Sequence, residues 1–310
     1  MKKFGSTLLL FVPFAISLYI LFVFLSGSYL PDSMHSNLVY NVGSAGHSFS
    51  RFQELKEQKN IDLLFIGSSH AYRGFDPRLF PDFQTFNIGS SSQTPIQSEM
   101  LIKRHVKKLN PKWVIYEVYP LTFSMDGVES AVDLIANDKN DFQSFRMAIK
   151  TNKIKVYNTL IFGFLNDMLH VNSNHKEAIK KYNDTYISGG YVERKLAFYK
   201  AEKVPTKRKY EFNEAQFCAF NASLAYLRDM GIKVILVQTP IVESEYESYS
   251  NNSKFDLLMR STKLPYYNFN KLMHLDDSLH FYDKSHLNQN GVQIFNKKLR
   301  EVIKSNDLLK

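Results

Sequence analysis

A long run without charge at the N-terminus limits what this chain can fold into more than any other feature. The run extends from Phe4 to Ser26 and follows Lys2 and Lys3. At about 1.5 Å per helical residue, it can cross the ~30 Å hydrocarbon core of a bilayer. A core helix of a soluble domain would carry polar residues along one face, and this run has no such face. We therefore predict a cytoplasmic tip and a transmembrane anchor over residues 1–30.

A cleaved signal peptide is the alternative for this segment. The apolar part of a signal peptide usually has only about 7–15 residues and is followed by an Ala-x-Ala-like site. The run here is longer, although the small residues of 26–28 leave cleavage open. Because the lysines precede the span and the first charge after it is Asp32, the positive-inside rule places the N-terminus in the cytoplasm. The remainder is expected outside the cytoplasm, in the bacterial periplasm or at the cell surface.

Composition excludes several classes of protein. The 310 residues are 44% hydrophobic, which is too apolar for a disordered chain. The single cysteine, Cys218, excludes an intramolecular disulfide and a cysteine-rich zinc site. The net charge of +9 is spread along the chain and forms no dense stripe, which argues against nucleic acid and favours a surface near anionic lipid or polysaccharide. We predict no metal and no cofactor.

Short apolar runs that end at breakers alternate with helical patterns after residue 60. The runs are typical of buried parallel strands, and they cover 62–66, 85–88, 113–119, 233–238 and 265–269. Amphipathic patterns predict helices over 96–109, 217–230 and 292–303. This alternation predicts an α/β fold with a mostly parallel, five-stranded sheet.

The remaining segments define the domain boundaries. Residues 31–60 are predicted to be a linker and lead-in, and residues 61–310 the main domain. The long gap at about 121–212 is predicted to be a partly helical insertion, with helix from Phe142 to Leu169, that packs over the carboxyl edge of the sheet.

The first strand is followed by the tetrapeptide Gly67–His70, at the edge where ligands bind in open parallel sheets. A serine on a tight turn from strand to helix is exposed, and the backbone N–H groups after it point at the atom it attacks. This makes Ser69 a candidate nucleophile. A serine N-cap of the next helix and a phosphate-binding turn are the alternatives, although the latter lacks a glycine-rich spacing and a lysine.

An acid and a histidine lie three residues apart just before the last helix. The carboxylate of Asp283 can orient the imidazole of His286 and stabilise its charged form, which is what a general base needs. A helix-capping aspartate beside a surface histidine would give the same spacing. The joint occurrence with Ser69 in an α/β chain favours catalysis.

These residues resemble the blocks of the SGNH (GDSL-like) hydrolase superfamily. The segment Gly67–His70 is similar to the first block, with Ser68 where aspartate is frequent; 87–89 is similar to the second, and 283–291 to the last. The resemblance covers about 60–120 and 230–305. It implies a three-layer, flavodoxin-like fold and a triad of Ser69, His286 and Asp283. It also implies an oxyanion hole formed by the backbone N–H groups of Ser69 and Gly89.

The third block departs from the family pattern. The usual Gly-x-Asn-Asp, whose Asn donates to the oxyanion, is replaced by 117–120, which contains neither Gly nor Asn. This departure and the predicted anchor are similar to the membrane-anchored branch of the superfamily, the DltD-like and alginate O-acetylation-like proteins. That branch implies an O-acyltransferase or esterase acting on a cell-envelope polysaccharide beside a multi-spanning membrane acyltransferase.

Three further residues could line a substrate pocket. His70 follows the nucleophile, Arg73 lies shortly after it, and Glu117 ends a strand at the same edge. For Arg73, a structural ion pair with Asp76 is the alternative, and for Glu117 a structural hydrogen-bonded carboxylate. A non-catalytic accessory protein that binds glycan or a membrane partner remains the second hypothesis for the whole chain.

Overall fold

The structure is a computed structural model that describes residues 2–34, 36–44, 46–201 and 206–306. Its first element is the 28-residue helix α1 (Lys2–Tyr29). The segment Thr7–Tyr29 has a mean hydropathy of 2.8 and is almost entirely unburied. This helix is long and apolar enough to cross a membrane, and a signal sequence near an N-terminus can meet the same criteria.

The predicted five-stranded sheet is confirmed, and all its strands are parallel in the order β2-β1-β3-β7-β8. The strands are β1 (Leu63–Ile66), β2 (Thr85–Asn87), β3 (Trp113–Glu117), β7 (Lys233–Gln238) and β8 (Tyr266–Asn268). This is the doubly wound, flavodoxin-like order, which opens a crevice between the carboxyl ends of β1 and β3. Ser69 follows β1 and Glu117 ends β3, so both lie at that crevice.

Helices cover both faces of the sheet and complete three layers. One face carries α2 (Ser48–Leu55), α4 (Pro95–Leu109), α8 (Glu214–Asp229) and α10 (Asn252–Ser261). The other carries α3 (Ser69–Gly74) and α13 (Gln289–Ser305), and α9 (Glu243–Ser248), α11 (Phe269–Leu272) and α12 (Asp277–His280) are short connections. Successive side chains of β1 enter opposite cores, with Leu64 in one and Phe65 in the other, both fully buried. A strand buried on both faces appears in the sequence as a continuous apolar run, which explains the short apolar runs after residue 60.

Helix α2 lies inside the segment that was predicted as linker and lead-in. Its Phe52 and Leu55 are each only 1% exposed and belong to the core beside α4. The guanidinium of Arg51 is also buried and donates to the carbonyl groups of Gly46 and Gly190. Residues 48–55 are therefore part of the domain rather than a tether.

The insertion contains three helices and a small sheet. The elements are α5 (Val128–Asn137), α6 (Phe142–Thr151), α7 (Ile154–Met168), and the antiparallel strands β4 (Lys180–Lys181), β5 (Asp184–Ile187) and β6 (Tyr191–Arg194). The single helix predicted over 142–169 is two helices, because Asn152 adopts a left-handed conformation with φ 49° between them.

The position predicted for the insertion is only partly right. The first turn of α5 does reach the carboxyl edge, where the hydroxyl groups of Ser130 and Ser90 lie 2.8 Å apart. The rest lies along the flanks: α6 packs on α4, and the small sheet docks on β2, where the Asn87 N–H donates to the Gly189 carbonyl at 2.8 Å. The insertion therefore supports the edge from the side and leaves most of it open.

Two glycines with positive φ provide a matched test of this docking. A Cβ on Gly190 (φ 83°) would lie 2.2 Å from the Asn87 carbonyl oxygen, whereas a Cβ on Gly231 (φ 72°) would meet nothing within 4 Å. We expect Gly231→Ala to cost only the left-handed conformation, about 1–2 kcal/mol. Gly190→Ala should lower the free energy of unfolding by more than about 3 kcal/mol, because backbone must also move. Thermal unfolding of both variants in detergent measures the difference, and equal midpoints would contradict the docking.

Candidate active site

The turn after β1 presents Ser69 as the first residue of α3. Ser68 caps this helix, and its hydroxyl accepts the His70 N–H at 3.3 Å. The turn also passes close to β3, since a Cβ on Gly67 would lie 2.5 Å from Glu117 Oε2. A glycine is therefore required at this point, and it lets the chain turn sharply enough to expose Ser69.

The loop that carries Asp283 and His286 is closed by contacts at its base. Phe281 and Leu287 form an antiparallel bridge, and both side chains are buried in the core beneath it. Asn288 then caps α13, where its side chain accepts the Gly291 N–H at 3.1 Å. These contacts hold both ends of the loop, so the acid and the base are presented on a rigid turn.

The structure brings the three predicted catalytic side chains together. Ser69 Oγ lies 2.8 Å from His286 Nε2, and His286 Nδ1 lies 2.9 Å from Asp283 Oδ2. Such distances allow a proton to pass from the serine to the imidazole while the carboxylate fixes the tautomer. The side chain of His286 is 19% exposed, so the pair can be reached from solvent.

The electrostatics of Asp283 match the role of an orienting carboxylate. Its Oδ1 accepts the backbone N–H groups of Ser285 and His286, each at 2.8 Å. Burial alone would favour the neutral acid, but the hydrogen bond and charge of His286 and these N–H groups outweigh it, so the pKa of Asp283 lies well below its usual range. Asp283 is therefore ionised across the physiological pH range.

A second acid–histidine pair lies under the nucleophile turn. Glu117 Oε2 accepts both the N–H and the hydroxyl of Ser68, at 2.8 and 2.9 Å. Its other oxygen, Oε1, and His70 Nδ1 are buried without hydrogen-bond partners in the described part of the chain, and they lie 3.8 Å apart. Burial raises the pKa of Glu117 to about 7, and burial with repulsion from His286 lowers the pKa of His70 well below its usual value. Both groups, which the sequence offered as possible pocket residues, lie mostly beneath the surface, and the hydrogen bonds from Ser68 give Glu117 the alternative role of a structural carboxylate.

The oxyanion donors differ from those that the family resemblance implies. The Gly89 N–H donates to the side chain of Asn87 at 2.9 Å, and the amide of Asn87 also donates to the Ala71 carbonyl at 2.8 Å. The N–H predicted to hold the oxyanion is thus already engaged, and the prediction for Gly89 is not supported by this geometry. The N–H of Ser69 stays a predicted donor, because the first residue of a helix has no partner within the helix.

Arg73 does not line an open pocket and does not pair with Asp76. Its guanidinium forms two hydrogen bonds with Asp184 of β5, at 2.8 and 3.0 Å, and its side chain is 10% exposed. Asp76 pairs instead with Arg78 at 2.7 Å. Arg73 therefore ties the helix of the nucleophile to the insertion, which is a structural role.

Aromatic residues that sequence analysis did not select surround the triad. The ring of Tyr282 stacks on His286 with centroids 5.4 Å apart, and the guanidinium of Arg194, a residue of the insertion, lies 4.6 Å from the centroid of the Tyr282 ring. Tyr119 packs against His70 with centroids 4.2 Å apart. Both tyrosines are neighbours of predicted blocks, and this adjacency was the one signal that could have identified them.

Comparisons with solved structures give distant matches, which include two bacterial proteins. No family model and no curated protein matches the chain. A candidate acylhydrolase from Bacteroides fragilis aligns with a TM-score of 0.43 and 11% identity, over 86% of this chain and 99% of that chain. A GDSL-like lipase from Bacteroides thetaiotaomicron aligns with a TM-score of 0.42 and 12% identity, over 84% and 98%.

The buried carboxyl of Glu117 makes stability depend on pH. Its pKa is about 7 in the folded protein against 4.5 in the unfolded chain, so the folded state holds this proton to higher pH. The free energy of unfolding therefore falls as pH rises from about 4.5 to 7, by about 3 kcal/mol at most. Glu117→Gln removes this term and can still accept from Ser68. Wild type and variant should unfold alike at pH 5, and wild type should be less stable at pH 8. A difference between them that does not change with pH would contradict the assignment.

Proposed function

We propose that the protein is a membrane-anchored serine enzyme of the SGNH type, which acts on O-acyl groups of a cell-envelope polysaccharide through an acyl-serine intermediate. The observation that carries this proposal is the hydrogen-bonded array of Ser69, His286 and Asp283 at the carboxyl edge of the sheet. At this edge the array borders the crevice in which open parallel sheets bind their ligands, so a substrate has room beside Ser69.

The reaction proceeds in two half-reactions. Ser69 Oγ attacks the acyl carbonyl, His286 Nε2 takes the serine proton, and Asp283 stabilises the imidazolium that forms. When the tetrahedral intermediate collapses, the bond to the leaving alcohol breaks and His286 returns the proton to its oxygen. Water or a polysaccharide hydroxyl then attacks the acyl-serine, again with His286 as the base, and Ser69 is regenerated.

The oxyanion is held by the N–H of Ser69 and by His70 in our proposal. His70 follows the nucleophile, and its ring meets that of His286 edge-on with centroids 4.9 Å apart. The buried Nδ1 faces Glu117, so Nε2 is on the opposite side of the ring and is the nitrogen available to a substrate. A neutral imidazole whose Nε2 carries the proton can donate to an oxyanion, and this would replace the Asn that the third block lacks.

The packing of α1 supports an anchor that is retained rather than cleaved. Val23 and Ser26 are buried, and Gly27 lies so close to α7 that a Cβ there would be 2.6 Å from the Phe162 ring. Cleavage after residue 26 or 28 would expose Leu38 and Phe162, which form a small core with Val23. We therefore propose a single-pass protein with its N-terminus in the cytoplasm and its domain outside.

In the envelope setting, the proposed substrate is a polysaccharide and the proposed partner is a membrane protein. A multi-spanning membrane acyltransferase would supply the acyl group on the side of the bilayer where the domain lies. Slow hydrolysis with a persistent acyl-serine would favour transfer, and rapid turnover would favour an esterase.

Removal of the nucleophile should abolish hydrolysis of a chromogenic acetyl ester. Ser69→Ala is expected to reduce kcat by about 10⁶ or to the background rate, and Asp283→Asn by about 10⁴, because the imidazole then adopts the wrong tautomer. Ser188, an exposed serine of the insertion, provides the control, and Ser188→Ala should retain wild-type activity. Activity that survives in Ser69→Ala would refute the proposed nucleophile.

Replacement of His70 tests the proposed oxyanion donor. His70→Phe keeps an aromatic ring against Tyr119 but removes the nitrogen, so kcat should fall by about 10²–10³ with little change in KM. His70→Asn should restore part of the loss, since its amide can donate. A change in KM alone would show that His70 only contacts the substrate.

A further inference from the structure

The insertion helices α6 and α7 form a hairpin, residues 142–168, that lies directly beside α1. Tyr19 of α1 donates its hydroxyl hydrogen to Asn158 Oδ1 at 2.5 Å, and further along, Phe24 and Phe162 pack with ring centroids 6.0 Å apart. The contacts advance in the same direction along both helices. The first residues of α7 therefore point toward the same side as the N-terminal half of α1.

Apolar side chains on this hairpin are exposed without a partner among the described residues. Phe145 and Ile149 of α6 and Ile154 of α7 are each 51–52% exposed, and Ile149 and Ile154 flank the turn between the two helices. Exposed apolar side chains that lie close together in this way mark an interaction site.

The charge around the tip fits an anionic surface. The segment 142–155 contains four basic residues and no acidic residue. The basic residues are Arg146, Lys150, Lys153 and Lys155, of which Lys150 pairs with Glu99 and Lys153 lies 3.7 Å from Asp126. Apolar side chains flanked by cations are the pattern of elements that lie in the headgroup region of a membrane with anionic lipids.

The orientation of α6 links this tip to the active site. Helix α6 runs antiparallel to α4, because Thr151 at its end contacts Gln97 at 3.5 Å while Asp141 at its start pairs with Arg104 at 2.8 Å. Helix α4 begins just after the loop that follows β2, at the carboxyl edge. The turn between α6 and α7 therefore lies at the same end of the domain as Ser69.

We infer that the tip of this hairpin, the turn between α6 and α7, rests in the interface of an anionic bilayer beside α1, and that this contact turns the catalytic edge toward the membrane. The inference rests on the proposed anchoring of α1 and extends it to the orientation of the domain. An acyl group from a membrane-embedded donor would then reach Ser69 directly from the membrane side of the domain. Polysaccharide would enter from the open side of the edge.

The test uses the full-length protein in nanodiscs of phosphatidylcholine and phosphatidylglycerol. The exposed Cys218 is the only cysteine, so Cys218→Ser gives a background for single cysteines that carry an environment-sensitive fluorophore. Ile149→Cys and Ile154→Cys report on the hairpin, and Leu10→Cys reports on α1. Lys59→Cys, at an exposed site just before β1, is the control at the opposite edge. Each label is quenched in turn by doxyl-labelled lipid and by aqueous iodide.

Doxyl lipid should quench most of the fluorescence of labels at 149 and 154, and iodide should quench little of it. The label at 59 should be quenched by iodide and little by doxyl lipid. Strong iodide quenching at 149 and 154, together with doxyl quenching at 10, would overturn the orientation and leave the anchor intact. Iodide quenching at 10 as well would refute the anchor, and the inference would fail with it. Retained ester hydrolysis by each labelled variant shows that the domain is folded.

Discussion

The hydrogen bond between Ser69 and His286 joins two segments that are 217 residues apart in sequence, and the proposed catalytic chemistry depends on it. A contact of 2.8 Å across such a separation needs both backbones to be held firmly. On one side, the parallel sheet and the cap by Ser68 hold the turn. On the other, the bridge between Phe281 and Leu287 holds the loop. The sheet order supplies the rest, since it places the ends of β1 and β3 beside each other.

The buried carboxyl of Glu117 stabilises the turn that carries the nucleophile. It binds Ser68 through both the N–H and the hydroxyl, so it braces the residue next to the nucleophile. Its burial has a cost, because an ionised carboxylate there would lack water, and among the described residues it has no basic partner at hydrogen-bond distance. The histidine beside it is kept neutral by the same burial. In the proposed mechanism this neutral histidine is the side-chain donor to the oxyanion.

The insertion contributes to the site through long-range pairs rather than through a lid. Arg73 of α3 pairs with Asp184, and Arg194 lies over Tyr282, which stacks on His286. These contacts connect the small sheet with the helix that carries Ser69 and with the loop that carries His286. Helix α7, by contrast, connects the same domain with α1.

Features set by local sequence were predictable, and features set by distant partners were not. The strands were visible because a strand buried on both faces is an uninterrupted apolar run that stops at a breaker. Ser69 and the pair Asp283–His286 were visible because their spacing is local. The engagement of the Gly89 N–H was not, because it depends on which way the side chain of Asn87 turns. The pairing of Arg73 with Asp184 joins residues 111 apart, so the nearer Asp76 was the misleading candidate.

The most direct test of the central claim is covalent labelling of the full-length protein with a fluorophosphonate, followed by mass mapping of the modified residue. A serine activated by a neighbouring base reacts with such a probe, whereas an ordinary surface serine does not. The account predicts one adduct, on Ser69, that is lost in Ser69→Ala and strongly slowed in His286→Ala. A folded protein that stays unlabelled, or an adduct on another serine, would contradict it.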